Sequence, residues 1–141
     1  MNNKNQNYTK RRIQRMQNVE IVYKYELLDE LLNLETIFSE ENINSDQLKI
    51  LTSIQKNNDK FIKTAKLFLD SDWTWKRIAP LTRAILLCAS VELWTLDKKI
   101  VINEYVEITK DFIPDETYKF INNILDKIGM LYEKQKTKNN Q

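Results

Sequence analysis

Glycine, histidine and cysteine are almost missing from this sequence. Its 141 residues include one glycine, no histidine and one cysteine. The single glycine, Gly129, leaves no glycine-rich phosphate loop and disfavours a turn-rich β fold, because glycine supplies the positive φ angles of tight turns. The absence of histidine removes the usual general base and the commonest metal ligand, and the lone Cys88 offers neither a disulfide nor a cysteine metal site. We therefore expect a protein that is not an enzyme and has no cofactor or metal.

Long apolar runs are missing as well. The longest uncharged apolar stretch, residues 84–91, is far shorter than the roughly 20 residues that a membrane-spanning helix needs. The first residues also lack the apolar centre of a secretory signal. We expect a cytoplasmic protein with no membrane contact. We further expect one domain over residues 1–141, with a flexible basic arm at 1–9 and a flexible polar tail at 133–141.

Positive charge is concentrated at the start of the chain, although the net charge is only +2. Residues 1–25 hold six basic residues against one acidic residue, whereas residues 26–59 hold eight acidic residues against two basic ones. Arg11, Arg12 and Arg15 cluster within the basic segment. Cations at a helix N-terminus oppose the helix dipole, so the cluster indicates an anionic partner such as RNA. A solvated helix face is the alternative.

Apolar spacing predicts helices in the first half of the chain. Steps of three and four residues recur over 11–34 and again over 48–69, which is typical of amphipathic helices. The first of these stretches is either one long helix or two short ones. Asn44 or Ser45 is expected to cap the second stretch, and Asn57–Asn58 is expected to interrupt it.

The second half contains clearer helix boundaries. Pro80 fits the first turn of an apolar, central helix that runs to about residue 95. Asp97 is expected to cap a further helix that ends near residue 112, and a last helix is expected over about 115–132. Signals for strands are weak throughout. The pattern therefore predicts an all-α bundle of five to seven helices.

Several polar and aromatic residues of the second half are interpreted as structural. Trp73 and Trp75 are expected to close over the core, with base stacking as the alternative. Asn103 interrupts an apolar helix and is expected to have its amide satisfied there if it is buried. Glu104 and Glu107 have the spacing of paired carboxylates but lie near no other catalytic group, so they are interpreted as solvated surface.

Three segments in register resemble the NusB family of bacterial transcription antitermination factors. They are DWTWKRIAPLTRAILLCASVEL, IVINEYVEITKDF and TYKFINNILDKI, and they follow the order and spacing of the family. The N-terminal RRIQRMQNVEIVYKYEL is more loosely similar to the family's arginine-rich arm and the helix that follows it. The resemblance implies an all-α fold of two packed three-helix bundles with about seven helices.

The same resemblance implies a function. It implies an RNA-binding antitermination factor that pairs with ribosomal protein S10 (NusE) and binds the single-stranded boxA RNA of ribosomal RNA operons within the RNA polymerase antitermination complex. The implied RNA-binding residues are Lys10, Arg11, Arg12, Arg15 and Lys119. The implied further surface for the partner or the RNA comprises Tyr23, Glu116 and Phe120.

The sequence departs from the family pattern at several positions. Leu87 stands where the family usually has an arginine, Val91 where it has a tyrosine, and Asp97 where it has a proline. Asn123 replaces a glycine, and Ile13 replaces a third arginine of the arm. These changes leave the expected fold intact but reduce the charge available for RNA.

Two other functions stay open from the sequence. One is a helical protein-interaction module, with a homodimer among its forms, in which the basic segment is incidental. The other is an RNA-binding domain related to the N-terminal part of a ribosomal RNA methyltransferase. A complete enzyme of that kind needs a glycine-rich cofactor site and reactive cysteines, which this sequence lacks.

Overall fold

A computed structural model describes the backbone of residues 3–139 and the side chains of residues 10–139. Within that part of the chain, the elements are six α-helices and one short 3₁₀ turn, with no strand. The helices are α1 (Asn3–Leu28), α2 (Leu34–Glu40), α3 (Ser45–Lys66), α4 (Pro80–Thr95), α5 (Lys98–Phe112) and α6 (Thr117–Asn139), and the turn is Trp75–Arg77. The all-α prediction is confirmed, and the 3₁₀ turn is the seventh helical element.

The stretch 11–34 is a single helix as far as Leu28, and only Leu34 belongs to the next helix, because the chain turns after Leu28. Asp29 adopts a left-handed conformation with φ 53°. The amide of Glu30 then donates to the carbonyl of Tyr25 over 3.0 Å, a closure typical of helix C-termini. Leu31, which the periodicity places on an apolar stripe, consequently lies between the helices and is 72% exposed.

Helix α3 begins and bends where the sequence predicts. The Asn44 side chain accepts from the amide of Gln47 over 2.9 Å, and the Gln47 side chain accepts from the amide of Asn44 over 3.0 Å. This reciprocal pair is a capping box. Asn57 departs from helical geometry, with φ −118° and ψ 22°, so the interruption is confirmed as a kink.

Helix α4 is the centre of the molecule. Pro80 occupies its first turn, and nearly every residue from Thr82 to Leu93 is buried. It packs against α1 and α3 and also against α5 and α6, which pack on each other. Helices α1, α3 and α4 thus form one packed group, while α4, α5 and α6 form another. The predicted central helix is confirmed.

Helix α5 begins where Asp97 accepts a hydrogen bond from the amide of Lys99, as predicted. Helix α6 runs beyond the predicted end near residue 132 as far as Asn139, because this stretch is rich in the strong helix formers lysine, glutamine and glutamate. At the other end, α1 starts at Asn3 within the expected flexible arm, whose side chains lie outside the described residues.

The single glycine of the sequence marks a close approach of α5 and α6. Gly129 is buried on α6, and a Cβ atom there would lie 2.6 Å from Cδ of Lys98. The absence of a side chain lets the Lys98 stem cross this point and pair with Asp126 over 3.2 Å.

Candidate nucleic-acid interface

Lys10, Arg11, Arg12 and Arg15 lie in the third and fourth turns of α1, which begins at Asn3, so the expectation that the arginines stand at a helix N-terminus is wrong. The four side chains have two different orientations. Lys10 and Arg11 are exposed, and we call them the outward cations. Arg12 and Arg15 retain only 19% and 14% side-chain exposure, and we call them the inward arginines. Neighbouring positions of a helix differ by about 100°, whereas positions three apart share a face. Arg12 and Arg15 therefore turn together towards α4 and α5.

Arg15 forms a two-point ion pair with Glu92 of α4. Its Nε lies 3.0 Å from Oε2 of Glu92, and its Nη2 lies 3.1 Å from Oε1. The hydroxyl of Tyr105, a buried residue of α5, also donates to Oε2. Burial and the neighbouring Glu92 charge raise the pKa of Tyr105, so its phenol stays protonated and continues to donate.

Arg12 is paired with a second carboxylate, Glu104 of α5. Its Nε lies 3.3 Å from Oε2 and its Nη2 lies 3.4 Å from Oε1. Nη1 of Arg15 also lies 3.8 Å from Glu104, which joins the two pairs. The interpretation of Glu104 as solvated surface is wrong, because only 7% of the residue is exposed. Two carboxylates thus balance the charges of the two inward arginines.

Lys119 lies in a separate region, at the start of α6. Its Nζ pairs with Oε1 of Glu116 over 3.0 Å, and both side chains are exposed. Phe120 is half-buried against the core. Lys119 also lines a groove of about 540 Å³ between α5 and α6 that includes Asn103 and Tyr118. Cationic, amide and aromatic groups therefore share this groove.

Asn103 is a surface residue, not a buried one. The expectation of a buried, satisfied amide is wrong, because the inward-facing position at this level of α5 is Glu104, the next residue along the helix. Helix α5 therefore lies between two regions: Glu104 contacts the inward arginines, and Asn103 shares a groove with Lys119. The basic residues of α1 and the start of α6 flank the exposed face of α5.

Tyr23 is half-buried and packs against the core from α1. It lies 12 residues beyond Arg11, which corresponds to about 18 Å along a helix. The structure thus does not bring Tyr23 into the cluster of basic residues on α1.

The two tryptophans before α4 differ in exposure. Trp75 is 8% exposed and belongs to the core as predicted, but Trp73 is 51% exposed, so the core prediction for it is wrong.

The carboxylate partners of the inward arginines were not predicted. Glu92 is the only acidic residue of α4, a helix that is apolar on most faces. A carboxylate in such a helix is buried at a large cost unless a cation pairs with it. The single acidic residue of an otherwise apolar helix was therefore the signal in the sequence for a buried ion pair. Arg83, the only basic residue of α4, follows the same rule, since its Nε pairs with Glu26 over 3.1 Å.

Residues 10–139 contain no group of three or more histidine, cysteine, aspartate or glutamate side chains that could hold a metal ion. None of the described helices combines the length and apolar character required to cross a bilayer. Burial raises the pKa of the Cys88 thiol and keeps it protonated.

The geometry thus defines a class: an all-helical protein whose first helix carries a basic segment anchored to the core. Residues 12–129 match the family model described as the NusB family. The chain is 32% identical over 126 residues to the transcription antitermination protein NusB of Staphylococcus haemolyticus, covering 84% of this chain and 98% of that protein. It is 46% identical over 59 residues to NusB of Staphylococcus aureus, covering 40% of this chain and 46% of that protein. The chain belongs to the NusB family of transcription antitermination proteins.

A solved structure agrees with this fold. NusB of Thermotoga maritima superposes with a TM-score of 0.76 at 21% identity, covering 85% of this chain and 90% of that chain. The expected NusB-like fold is therefore confirmed.

Proposed function

We propose that this antitermination factor acts without catalysis, pairs with ribosomal protein S10 (NusE) and binds boxA RNA of ribosomal RNA operons. The observation that carries the proposal is the outward orientation of Lys10 and Arg11 on a helix whose neighbouring arginines are fixed by buried carboxylates. Exposed cations on a rigid helix are available to phosphate oxygens at little further ordering cost.

The four basic residues of α1 have different roles in this proposal. Lys10 and Arg11 neutralise RNA phosphates directly. Arg12 and Arg15, which the family resemblance assigns to RNA contact, act instead as positioning residues because Glu104 and Glu92 engage their guanidinium groups. They hold the third and fourth turns of α1 against α4 and α5, and so fix the position of the outward cations.

Lys119 is proposed as a second phosphate contact, with Glu116, Phe120 and Tyr23 as candidates for the partner or RNA surface. Glu116 already holds Lys119 over 3.0 Å, so RNA binding there requires the lysine to exchange one anion for another. The groove beside it offers an aromatic ring, Tyr118, and the amide of Asn103 for contact with bases.

Fluorescence anisotropy with labelled RNA tests this function. Wild-type protein with S10 should bind a boxA RNA more tightly than a scrambled RNA of the same composition, and binding should weaken as salt rises. Equal binding to both RNAs would overturn the boxA assignment. Failure of S10 to co-purify with the chain or to tighten RNA binding would overturn the partner assignment.

The choice of variant matters for that test. Replacing Arg15 with alanine would leave Glu92 buried without its cation and destabilise the fold, which would mix two effects. The informative pair is Lys10→Gln with Arg11→Gln, which removes only exposed charge. Its matched control is Lys63→Gln with Lys66→Gln, two exposed lysines near the end of α3.

A protein-interaction module is the second candidate function. It is favoured by exposed apolar side chains around the turn between α1 and α2, where Leu28, Leu31 and Phe38 are 66%, 72% and 67% exposed. Sedimentation of wild-type protein and of a Leu31→Ser, Phe38→Ser variant tests self-association through this surface. A monomeric wild type over the concentrations used for RNA binding would rule out a homodimer at that site.

A further inference from the structure

A groove of about 550 Å³ runs between α1, α3 and the end of α4. Arg11, one of the outward cations, lines it, as do Lys49 and Lys60 of α3. Asp46 is the exposed acidic residue among its lining groups. The groove therefore continues the basic surface of α1 onto α3 and has an excess of positive charge.

Trp94 stands in the lining of this groove at the end of α4 and is 37% exposed. Nζ of Lys60 lies 5.6 Å from the centre of its ring, and Nζ of Lys136 of α6 lies 5.2 Å from it. Lysine tails over a partly exposed ring are weakly held and easily displaced. A partly open aromatic ring with neighbouring cations can bind single-stranded nucleic acids, because the ring stacks on bases and the cations neutralise phosphates.

Tyr132 packs against Trp94 in the wall of the groove. Its ring packs edge-on against Trp94 at 5.1 Å, and the residue is 3% exposed in the groove wall. Its buried hydroxyl makes no hydrogen bond of full geometry and lies near the side chain of Thr64, whose own hydroxyl donates to the carbonyl of Lys60. Burial raises the pKa of Tyr132 to about 12, so the hydroxyl remains a donor. Tyr132 thus fixes the position of the Trp94 ring in the groove wall.

We propose that this groove binds a second segment of single-stranded RNA, continuous with the segment held by the outward cations of α1, and that one base stacks on Trp94. Lys60 and Lys136 leave the ring and neutralise the adjoining phosphates, and Arg11 links the two segments. The proposal rests on the RNA-binding function proposed above. An acidic peptide would satisfy the cations but would make no use of the open ring, and for that reason RNA fits the groove better.

Trp73 offers a matched control for Trp94. It is 51% exposed, and the Arg77 guanidinium lies 5.7 Å from its ring centre, so the two tryptophans have similar surroundings. Trp73 precedes α4 and Trp94 lies near its end, and a helix of 16 residues is about 24 Å long. The two rings are therefore at opposite ends of the central helix.

The experiment compares two RNAs, a boxA oligonucleotide and the same sequence extended on both sides, with S10 present. Trp94→Leu should weaken binding of the extended RNA by about five-fold or more and leave the short RNA unchanged, since stacking contributes on that scale. Trp73→Leu should change the affinity for neither RNA.

A second measurement follows tryptophan fluorescence. Extended RNA should quench tryptophan fluorescence in the Trp73→Leu protein and not in the Trp94→Leu protein. Lys60→Gln with Lys136→Gln should reduce the salt slope for the extended RNA by about 1.4.

Three results would overturn the proposal while leaving the proposed function intact. The first is an unchanged affinity of Trp94→Leu for the extended RNA. The second is an equal loss in Trp73→Leu, which would indicate a general effect of substitution. The third is a loss of self-association or of polyglutamate binding in Trp94→Leu without loss of RNA binding. If wild-type protein with S10 binds neither RNA, both the proposed function and this site are wrong. Circular dichroism and urea midpoints of the variants confirm that they are folded.

Discussion

The outward cations and the inward arginines lie within six consecutive positions of one helix, yet their environments are opposite. Lys10 and Arg11 are exposed to solvent, whereas Arg12 and Arg15 contact carboxylates that are themselves almost fully buried. A cluster of basic residues in a sequence is therefore not one functional unit. The inward arginines differ from the outward cations because they pair with acidic residues that lie far along the chain.

Glu92 and Glu104 decide the orientation of the inward arginines. A buried ion pair adds little net stability, because desolvation of both charges offsets most of their attraction. Removing one partner is different, since the other charge then stays buried without compensation. The pairs thus contribute mainly by fixing this part of α1 in one position.

Glu92→Ala should have the largest effect. The substitution leaves Arg15 without its two-point partner and removes the acceptor of the Tyr105 hydroxyl, so we expect unfolding free energy to fall by about 3–5 kcal/mol. Urea unfolding followed by circular dichroism measures it. Glu107→Ala is the control, because Glu107 forms only an exposed pair with Lys110 and should change stability by under about 1 kcal/mol. Similar losses in both variants would contradict the contrast between buried and exposed pairs.

Tyr105→Phe should have an intermediate effect. The ring still fills its buried site, but Glu92 loses one hydrogen-bond donor while keeping Arg15. We expect a loss of about 1–3 kcal/mol in the same urea experiment, because the donor binds a charged group. A neutral substitution would mean that Arg15 alone satisfies Glu92.

Alkaline pH should destabilise the fold through two buried tyrosines, Tyr105 and Tyr132. The pKa of Tyr105 is raised by burial and by the Glu92 charge, and that of Tyr132 is raised to about 12. In the unfolded chain both phenols ionise near pH 10, so their contribution is complete below pH 10 and is lost as pH rises through the folded-state values. Unfolding free energy should fall above pH 10 by up to about 1.4 kcal/mol per pH unit for each tyrosine. Urea midpoints at pH 9–11 for wild type and Tyr132→Phe test this; an equal decline in both would exclude a role for Tyr132.

Lys10→Gln with Arg11→Gln should have the smallest effect on stability. Both side chains are exposed and lie beyond the first turn of α1, so removing their charges should leave the unfolding free energy within about 1 kcal/mol of the wild-type value. Thermal unfolding checks this. A clear destabilisation would show that the outward cations also anchor the fold.

Local signals in the sequence predicted the elements well, but not the contacts between them. Pro80, Asp97 and Asn44 act on neighbouring backbone groups, so their positions alone indicate where helices begin.

The contacts between helices follow no local rule. The Arg15–Glu92 and Arg12–Glu104 pairs join residues 77 and 92 positions apart, and no spacing rule reaches that far. On α5 the buried polar position was predicted for Asn103, but it belongs to Glu104, the next residue, which lies about 100° further around the helix. The family resemblance indicated the basic arm, yet it could not separate its outward members from its inward ones.

The most direct test is the salt dependence of boxA RNA binding, measured with S10 for wild type, for Lys10→Gln with Arg11→Gln, and for the control Lys63→Gln with Lys66→Gln. Each phosphate contact to single-stranded RNA contributes about 0.7 to the slope of log affinity against log salt. The outward variant should therefore lose about 1.4 of that slope while the control retains the wild-type value. Equal slopes for all three proteins would contradict the claim that the outward cations of α1 contact the RNA.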